Sequence, residues 1–276
     1  MRDSSVKGHL VEEMKNRLRL RFLMGLLSPA AAMAQSPFDG TWKLDFGTAR
    51  IEAKPEVYLL KDGTYHCDAC DPPLHLKADG NDRKISGDKC FDTVSVRVID
   101  DRTVEETYKK HGKTVETSKM TVSSDGQMAT MDWSEKCNAK GDLVAVQRIL
   151  TRVAPGLPGT HAVSGSWRLV KRVAVSDNVF TATLKLQGDT FSFMDPVGQG
   201  YSAKLDGTET PTRGALDNET VSVRRVAENT IRETHKENGK LSEIVTYALS
   251  PDRKSMTITI EHPASGNTTK YIATKQ

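Results

Sequence analysis

Apolar and polar residues alternate with a period of two along most of the chain. Val94, Val96 and Val98 alternate with Thr93, Ser95 and Arg97, and Ala182, Leu184 and Leu186 alternate with Thr181, Thr183 and Lys185. Thr257-Ile258-Thr259-Ile260 repeats the pattern. Such alternation sends successive side chains to opposite faces, one toward a core and one toward water, and predicts strands. Turn signals punctuate the runs at Asp62-Gly63, Asp79-Gly80, His111-Gly112, Asp125-Gly126, Asp206-Gly207 and Asn238-Gly239. Asn238-Gly239 is the most specific of them, because a two-residue type I′ turn needs positive φ at both central positions. Helical periodicity is absent beyond residue 34. The predicted fold class is therefore all-β, an antiparallel meander with about seven to nine strands per unit.

The pattern also repeats on a larger scale. Gly40-Thr41-Trp42-Lys43-Leu44 returns as Gly165-Ser166-Trp167-Arg168-Leu169, and Thr93-Val94-Ser95-Val96-Arg97 returns as Thr220-Val221-Ser222-Val223-Arg224. Glu106-Thr107, Gly112-Lys113 and Asp125 return, in order, as Glu233-Thr234, Gly239-Lys240 and Asp252. Internal repetition of this kind marks a duplicated structural unit. Between the copies lies Val153-Ala154-Pro155-Gly156-Leu157-Pro158-Gly159-Thr160, whose two Pro-Gly pairs oppose regular structure. The expected organisation is a first β domain over 35–152, a linker over 153–162 and a second β domain over 163–276.

The N-terminal 34 residues follow a different logic. Lys15, Arg17, Arg19 and Arg21 precede the apolar run Phe22 to Leu27, and small residues lead to Ala32-Met33-Ala34. That order is a secretory signal peptide, with cleavage expected after Ala34 and a start at Met14 giving a leader of ordinary length. Export to the periplasm or the medium follows. Of 39 basic and 36 acidic residues, the leader holds six and three, which leaves 33 of each in the mature chain. No basic stripe remains to neutralise a phosphate backbone, so nucleic acid is not an expected partner. No apolar run approaches the roughly 20 residues of a spanning helix, so no integral membrane span is expected after cleavage.

All four cysteines fall in the first copy, and in an oxidising compartment four cysteines most often form two disulfides. Three pairings are open; local closure favours Cys67 with Cys70, leaving Cys90 with Cys137. Two alternatives use the same residues. Cys67-x-x-Cys70 is a thiol-redox spacing, although such thiols usually sit at a helix N-terminus, where the dipole stabilises thiolate. Reduced Cys67 and Cys70 with His66 and His75 make a soft set for zinc or copper. His66 and Cys67 point to opposite faces of an extended segment, which opposes convergence of all four. A haem attachment is excluded by Asp71 where that motif needs His.

The early Gly-x-Trp of each copy, followed by hairpins and a final strand with a basic residue, resembles the lipocalin and fatty-acid-binding-protein superfamily, the calycins. The chain as a whole resembles exported two-repeat bacterial proteins. The calycin resemblance implies two tandem antiparallel meander barrels. It also implies a tryptophan plugging one barrel end beneath a basic side chain, a pairing with a physical cause in the indole quadrupole. By that resemblance Trp42 would meet Arg148 or Arg152, and Trp167 would meet Lys275.

Glu106 and Tyr108, matched by Glu233 and His235, share strand faces with Val104 and Ile231. Facing a barrel interior, they would be costly to bury alone and could meet the polar head of a ligand; facing outward, they would simply be solvated. There is no Gly-x-Ser-x-Gly elbow, no phosphate-cradling Gly-Lys loop and no His-Glu-x-x-His helix. No cofactor is expected. The expectation is an exported, non-enzymatic protein that binds a small apolar ligand or serves as an envelope interaction module, with thiol-redox or metal-binding use of Cys67-x-x-Cys70 as the alternative.

Overall fold

The computed structural model describes residues 35–70, 72–86, 89–174, 176, 181–215 and 218–276. The expected signal peptide lies outside the described residues. The described chain contains no helix. Its strands are β1 (Gly40–Glu52), β2 (Glu56–Lys61), β3 (Thr64–Cys67), β4 (Leu74–Lys77), β5 (Arg83–Lys84), β6 (Thr93–Asp100), β7 (Thr103–Lys110), β8 (Lys113–Val122), β9 (Met128–Glu135) and β10 (Val144–Pro155). The second half contributes β11 (Gly165–Ala174), β12 (Thr181–Gln187), β13 (Thr190–Met194), β14 (Gly200–Lys204), β15 (Thr210–Pro211), β16 (Glu219–Ala227), β17 (Thr230–Glu237), β18 (Lys240–Leu249), β19 (Ser255–His262) and β20 (Asn267–Lys275).

These strands build two antiparallel ten-stranded sheets, each curled into a nearly closed barrel, slightly more strands than expected because β5 and β15 are two-residue pairings. The turn chemistry acts as read: Asn238 and Gly239 take φ of 49° and 78°, as do Asp62 and Gly63 at 50° and 71°. The inward positions of each alternation fill the barrels. Val94, Val96, Val104, Tyr108, Leu150 and Trp167 belong to one buried cluster, and Trp42, Leu184, Val221, Val223, Ile231 and Met256 to another.

The sheets do not follow the boundaries of the two copies. The first runs β4-β3-β2-β11-β10-β9-β8-β7-β6-β5, and the second runs β14-β13-β12-β1-β20-β19-β18-β17-β16-β15. Each copy thus gives its first, Trp-bearing strand to the other copy's barrel. The first barrel is the continuous segment 56–174, and the second is assembled from 40–52 and 181–275. This corrects the division into 35–152 and 163–276, in which each copy would wrap its own interior.

Two short connections explain the exchange. Residues 156–164 join β10 to β11 as a hairpin connection, and the two strands pair from Pro155↔Gly165 to Val146↔Ala174. The supposed linker is therefore structure: Val153, Ala154 and Pro155 belong to β10. Beyond it, Ser164 is buried and its hydroxyl accepts the Leu60 amide at 2.8 Å. Between β1 and β2 stand only Ala53, Lys54 and Pro55. Proline biases the residue before it toward extended backbone, and the segment lacks the Gly or Asn of a tight hairpin. The chain therefore runs straight out of one sheet and into the other, as short stiff hinges favour in strand exchange.

The tryptophan plugs are present with exchanged partners. Arg152 lies 4.0 Å above the ring of Trp167, and the Lys275 ammonium lies 5.7 Å from that of Trp42. The expected pairings of Trp42 with Arg148 or Arg152, and of Trp167 with Lys275, are corrected, because the strand that carries each indole has changed barrels. Both indoles are fully buried, and their N–H groups donate to Phe38 O and Val163 O at 2.8 and 2.9 Å. The glycine two residues before each Trp is required by this contact. Gly40 and Gly165 take φ of 130° and 132°, and a Cβ there would stand 2.8 Å from Lys275 Cε or 2.8 Å from an Arg152 guanidinium nitrogen.

A fragment spanning 56–174 is expected to fold alone as the first barrel, with cooperative thermal unfolding. Ending the fragment at 155 removes β11 and Trp167, and loss of the near-ultraviolet dichroism and of the melting transition is expected. An unchanged melt for the shorter fragment would show that the exchanged strand is dispensable.

Candidate functional site

Each barrel buries one glutamate at the same position of its seventh-strand equivalent, β7 or β17. Val104, Glu106 and Tyr108 alternate inward along β7, so strand parity alone carries the carboxylate into the first barrel. Glu106 is 6% exposed and accepts hydrogen bonds from the hydroxyls of Tyr65 at 2.6 Å and Tyr108 at 3.1 Å. Burial raises its pKa against the opposing effect of those two donors. Nearby, Arg148 pairs with Glu56, whose other oxygen accepts the Tyr58 hydroxyl at 2.7 Å. The inward acid is thus enclosed by protein groups.

In the second barrel Glu233 is 1% exposed. It accepts hydrogen bonds from Tyr201 and, at 3.2 Å, from Tyr247. His235 Nε2 stands 3.0 Å from Glu233, and its Nδ1 stands 3.1 Å from Glu219. Glu219 also accepts Thr212 Oγ1 at 2.9 Å and Gln199 Nε2 at 3.1 Å. With a carboxylate at each ring nitrogen, only the imidazolium offers two donors for two acceptors. Burial opposes that charge, but the hydrogen bonds and field of Glu219 and Glu233 outweigh it, and the His235 pKa is pushed up to about 10. Glu219 is held low by the same partnership, against burial.

This network borders a cavity of about 600 Å³ in the second barrel. Its lining mixes apolar side chains, Leu44, Ala182, Phe193, Val245, Ile258 and Ile260, with polar ones, Tyr201, Glu219, Glu233, His235, Glu243 and Tyr247. The two kinds are neighbours: Phe193 pairs with Tyr201, and Val245 stands between Glu243 and Tyr247 on β18. The strand registers identify one difference from the first barrel at the cavity. Ala182 stands beside Trp42 where the first barrel has the larger Glu56 beside Trp167. Leu184 faces Phe193 where Tyr58 faces Cys67. Glu135 at the end of β9 and Cys137, Asn138 and Ala139 of the β9–β10 connection form part of the rim, so the mouth belongs to both barrels. Lys140 donates to Pro196 O there, and an added Cβ at Gly198 would stand 3.4 Å from Ala139.

Of the four ligand candidates, Glu233 and His235 line the cavity, while Glu106 and Tyr108 sit in the other barrel's core. Tyr201, Glu219, Glu243 and Tyr247 were missed. Parity offered a signal for two of them: Glu219 precedes Val221 and Val223 by steps of two, and Tyr247 lies between Val245 and Leu249 on one face. Nothing local marked Glu135, which reaches the cavity only through the docking of one barrel on the other.

The cysteines form two disulfides, Cys67–Cys70 and Cys90–Cys137. His66 and His75 are cross-strand partners whose rings stack 3.8 Å apart. Cys67 faces the other way, fully buried in the first core. The set His66, Cys67, Cys70 and His75 therefore does not converge, for the reason strand alternation gives. The sulfurs of Cys67 and Cys70 lie with the Glu106 carboxylate in a group within 4.8 Å, and the two sulfurs are bonded to each other. Two disulfides are typical of an oxidising compartment. No helix among the described residues is long and apolar enough to cross a membrane.

No family model matches the chain, and no curated protein matches its sequence. The functional reading therefore starts from the cavity.

Two outcomes follow. A His pKa raised from about 6.5 to about 10 contributes stability that is complete below pH 6.5 and is lost as pH rises through 10. Thermal melts of the wild-type protein are expected to fall over that window more steeply than those of His235→Gln; parallel profiles would remove the imidazolium from the account. Cys90–Cys137 closes a loop of sequence separation 47 and anchors the rim. Replacing both cysteines with Ser is expected to cost about 4 kcal/mol in denaturant unfolding, by the chain-entropy relation.

Proposed function

We propose that the protein is an exported, non-enzymatic binder of a small, partly apolar molecule, which it holds in the second barrel. The observation that carries the reading is the cavity of about 600 Å³, whose lining combines apolar side chains with a hydrogen-bonded polar network. That combination is the usual make-up of a small-molecule site, and the volume lies within the usual range of roughly 300–1,000 Å³. The tryptophan beneath a basic side chain in each barrel supports the calycin resemblance, and the two disulfides support export. In this reading the first barrel serves as scaffold: it contributes the rim through its disulfide-anchored 137–139 segment.

Native mass spectrometry of protein purified from its own host is expected to show an added small-molecule mass. Val245→Trp, which places a larger ring in the cavity, is expected to abolish that mass while a cooperative melt is retained. A uniformly ligand-free mass in the wild-type protein, with no uptake of fluorescent apolar probes, would overturn the reading.

A further inference from the structure

The charge of the cavity lining selects among apolar guests, and this inference rests on the binding reading above. Six carboxyl groups border the space: Glu135, Asp195, Glu219, Glu233, Glu237 and Glu243. Among the described residues, His235 is the only basic side chain that lines it, with neither Lys nor Arg beside it in the lining. The one cation is already committed, because its two ring nitrogens face Glu219 and Glu233. Glu233 is further satisfied by Tyr201 and Tyr247. These two acids and the histidine form a closed network with nothing to offer an incoming anion.

The other carboxylates differ. Glu243 meets His262 Nδ1 only at 3.7 Å, with both side chains partly open to solvent. Burial raises its pKa, with the neighbouring Glu233, Glu219 and Glu237 adding to the effect against His235. Glu135 stands directly across the β8–β9 pair from another acid, Glu116. Burial and that like charge push its pKa up to about 7. The two groups come one from each barrel, and no Lys or Arg is among the described residues that line the cavity with them. In the same lining Phe193 and Ile260 supply apolar surface, and Tyr201 and Tyr247 supply aromatic rings, whose faces attract cations. A fatty acid would have to place its carboxylate in an acid-lined space where the only cation among the described lining residues, His235, is already paired, and like-charge juxtaposition is a strong source of discrimination.

We infer that the guest of the second barrel is an organic cation, an amine on an apolar body. Its ammonium group is held by the lining carboxylates Glu243 and Glu135, and its body lies against Phe193 and Ile260. The cavity defines the site, and the carboxylates decide the sign of the ligand.

Isothermal titration of the full protein with decylamine, decanol and decanoate, three probes of equal chain length, separates charge from apolar burial. Decylamine is expected to bind at least tenfold more tightly than decanol, with decanoate weakest. Glu135→Gln combined with Glu243→Gln is expected to weaken decylamine at least tenfold and to leave decanol within about twofold. Equal binding of the three probes, or preference for decanoate, would overturn the cationic assignment and leave the binding reading standing. Retention of the amine preference in the double variant would overturn the assignment to these two residues. No binding of any probe would overturn both readings. The probe series on the wild-type protein decides the sign of the ligand even where the double variant fails to fold.

Discussion

The contact of an indole with the basic side chain of the last strand beside it recurs in both barrels, and the exchange of first strands determines which strands make it. Trp167 reaches Arg152, and Trp42 reaches Lys275, because β11 lies beside β10 and β1 beside β20. The two contacts are not equal. The Arg152 guanidinium stacks on the ring and donates to Ser164 O and Ala162 O at 2.7 and 2.6 Å, so the fork of arginine is used in full. Lys275 offers a point charge farther from its ring, with one backbone acceptor, Pro37 O, at 3.4 Å. The first barrel is the better sealed at this end.

Exchange also ties the barrels into one object. Arg172 on β11 donates to the Tyr271 hydroxyl on β20 at 2.7 Å, and Lys140 donates to Pro196 O at the cavity mouth. The chain leaves the second barrel after β1, builds the whole first barrel and returns to finish the second. Folding of the first barrel therefore brings the two parts of the second together, and shortens the effective loop that β1 and β12 must close. Stability of the cavity-bearing barrel is thereby coupled to that of its neighbour, which gives the disulfides of the first copy a bearing on the site in the other.

Duplication followed by divergence is written at matched positions of the two interiors. The glutamate of β7 and β17 is common to both, and in both it is held by tyrosine hydroxyls, so burial of the acid belongs to the shared design. Neighbouring positions differ. Tyr108 corresponds to His235, which adds a buried cation and draws in Glu219. Glu56 corresponds to the smaller Ala182, which lines the cavity. An interior lined by both apolar and acidic side chains results from a few substitutions on an unchanged set of strands.

Strand identity, turn positions, the duplication and the sharing of one face by Glu106 with Val104 and by Glu233 with Ile231 were all legible in the chain, whereas the inward direction of those faces was decided by the curled sheet. Each depends on local parity, which alternation with a period of two determines without knowledge of distant partners. The pairing of Cys67 with Cys70 was legible for another local reason, since only Asp68 and Ala69 stand between them. Strand ownership was not. The two Trp-bearing strands are alike in sequence, so either could complete either barrel, and the choice fell to the hinge at Ala53-Lys54-Pro55 and the hairpin connection 156–164 acting over the whole molecule. The cavity likewise belongs to tertiary structure. Its volume is a difference between packed side chains from eight or more strands, and its rim comes from the other barrel, so no window of sequence contains it.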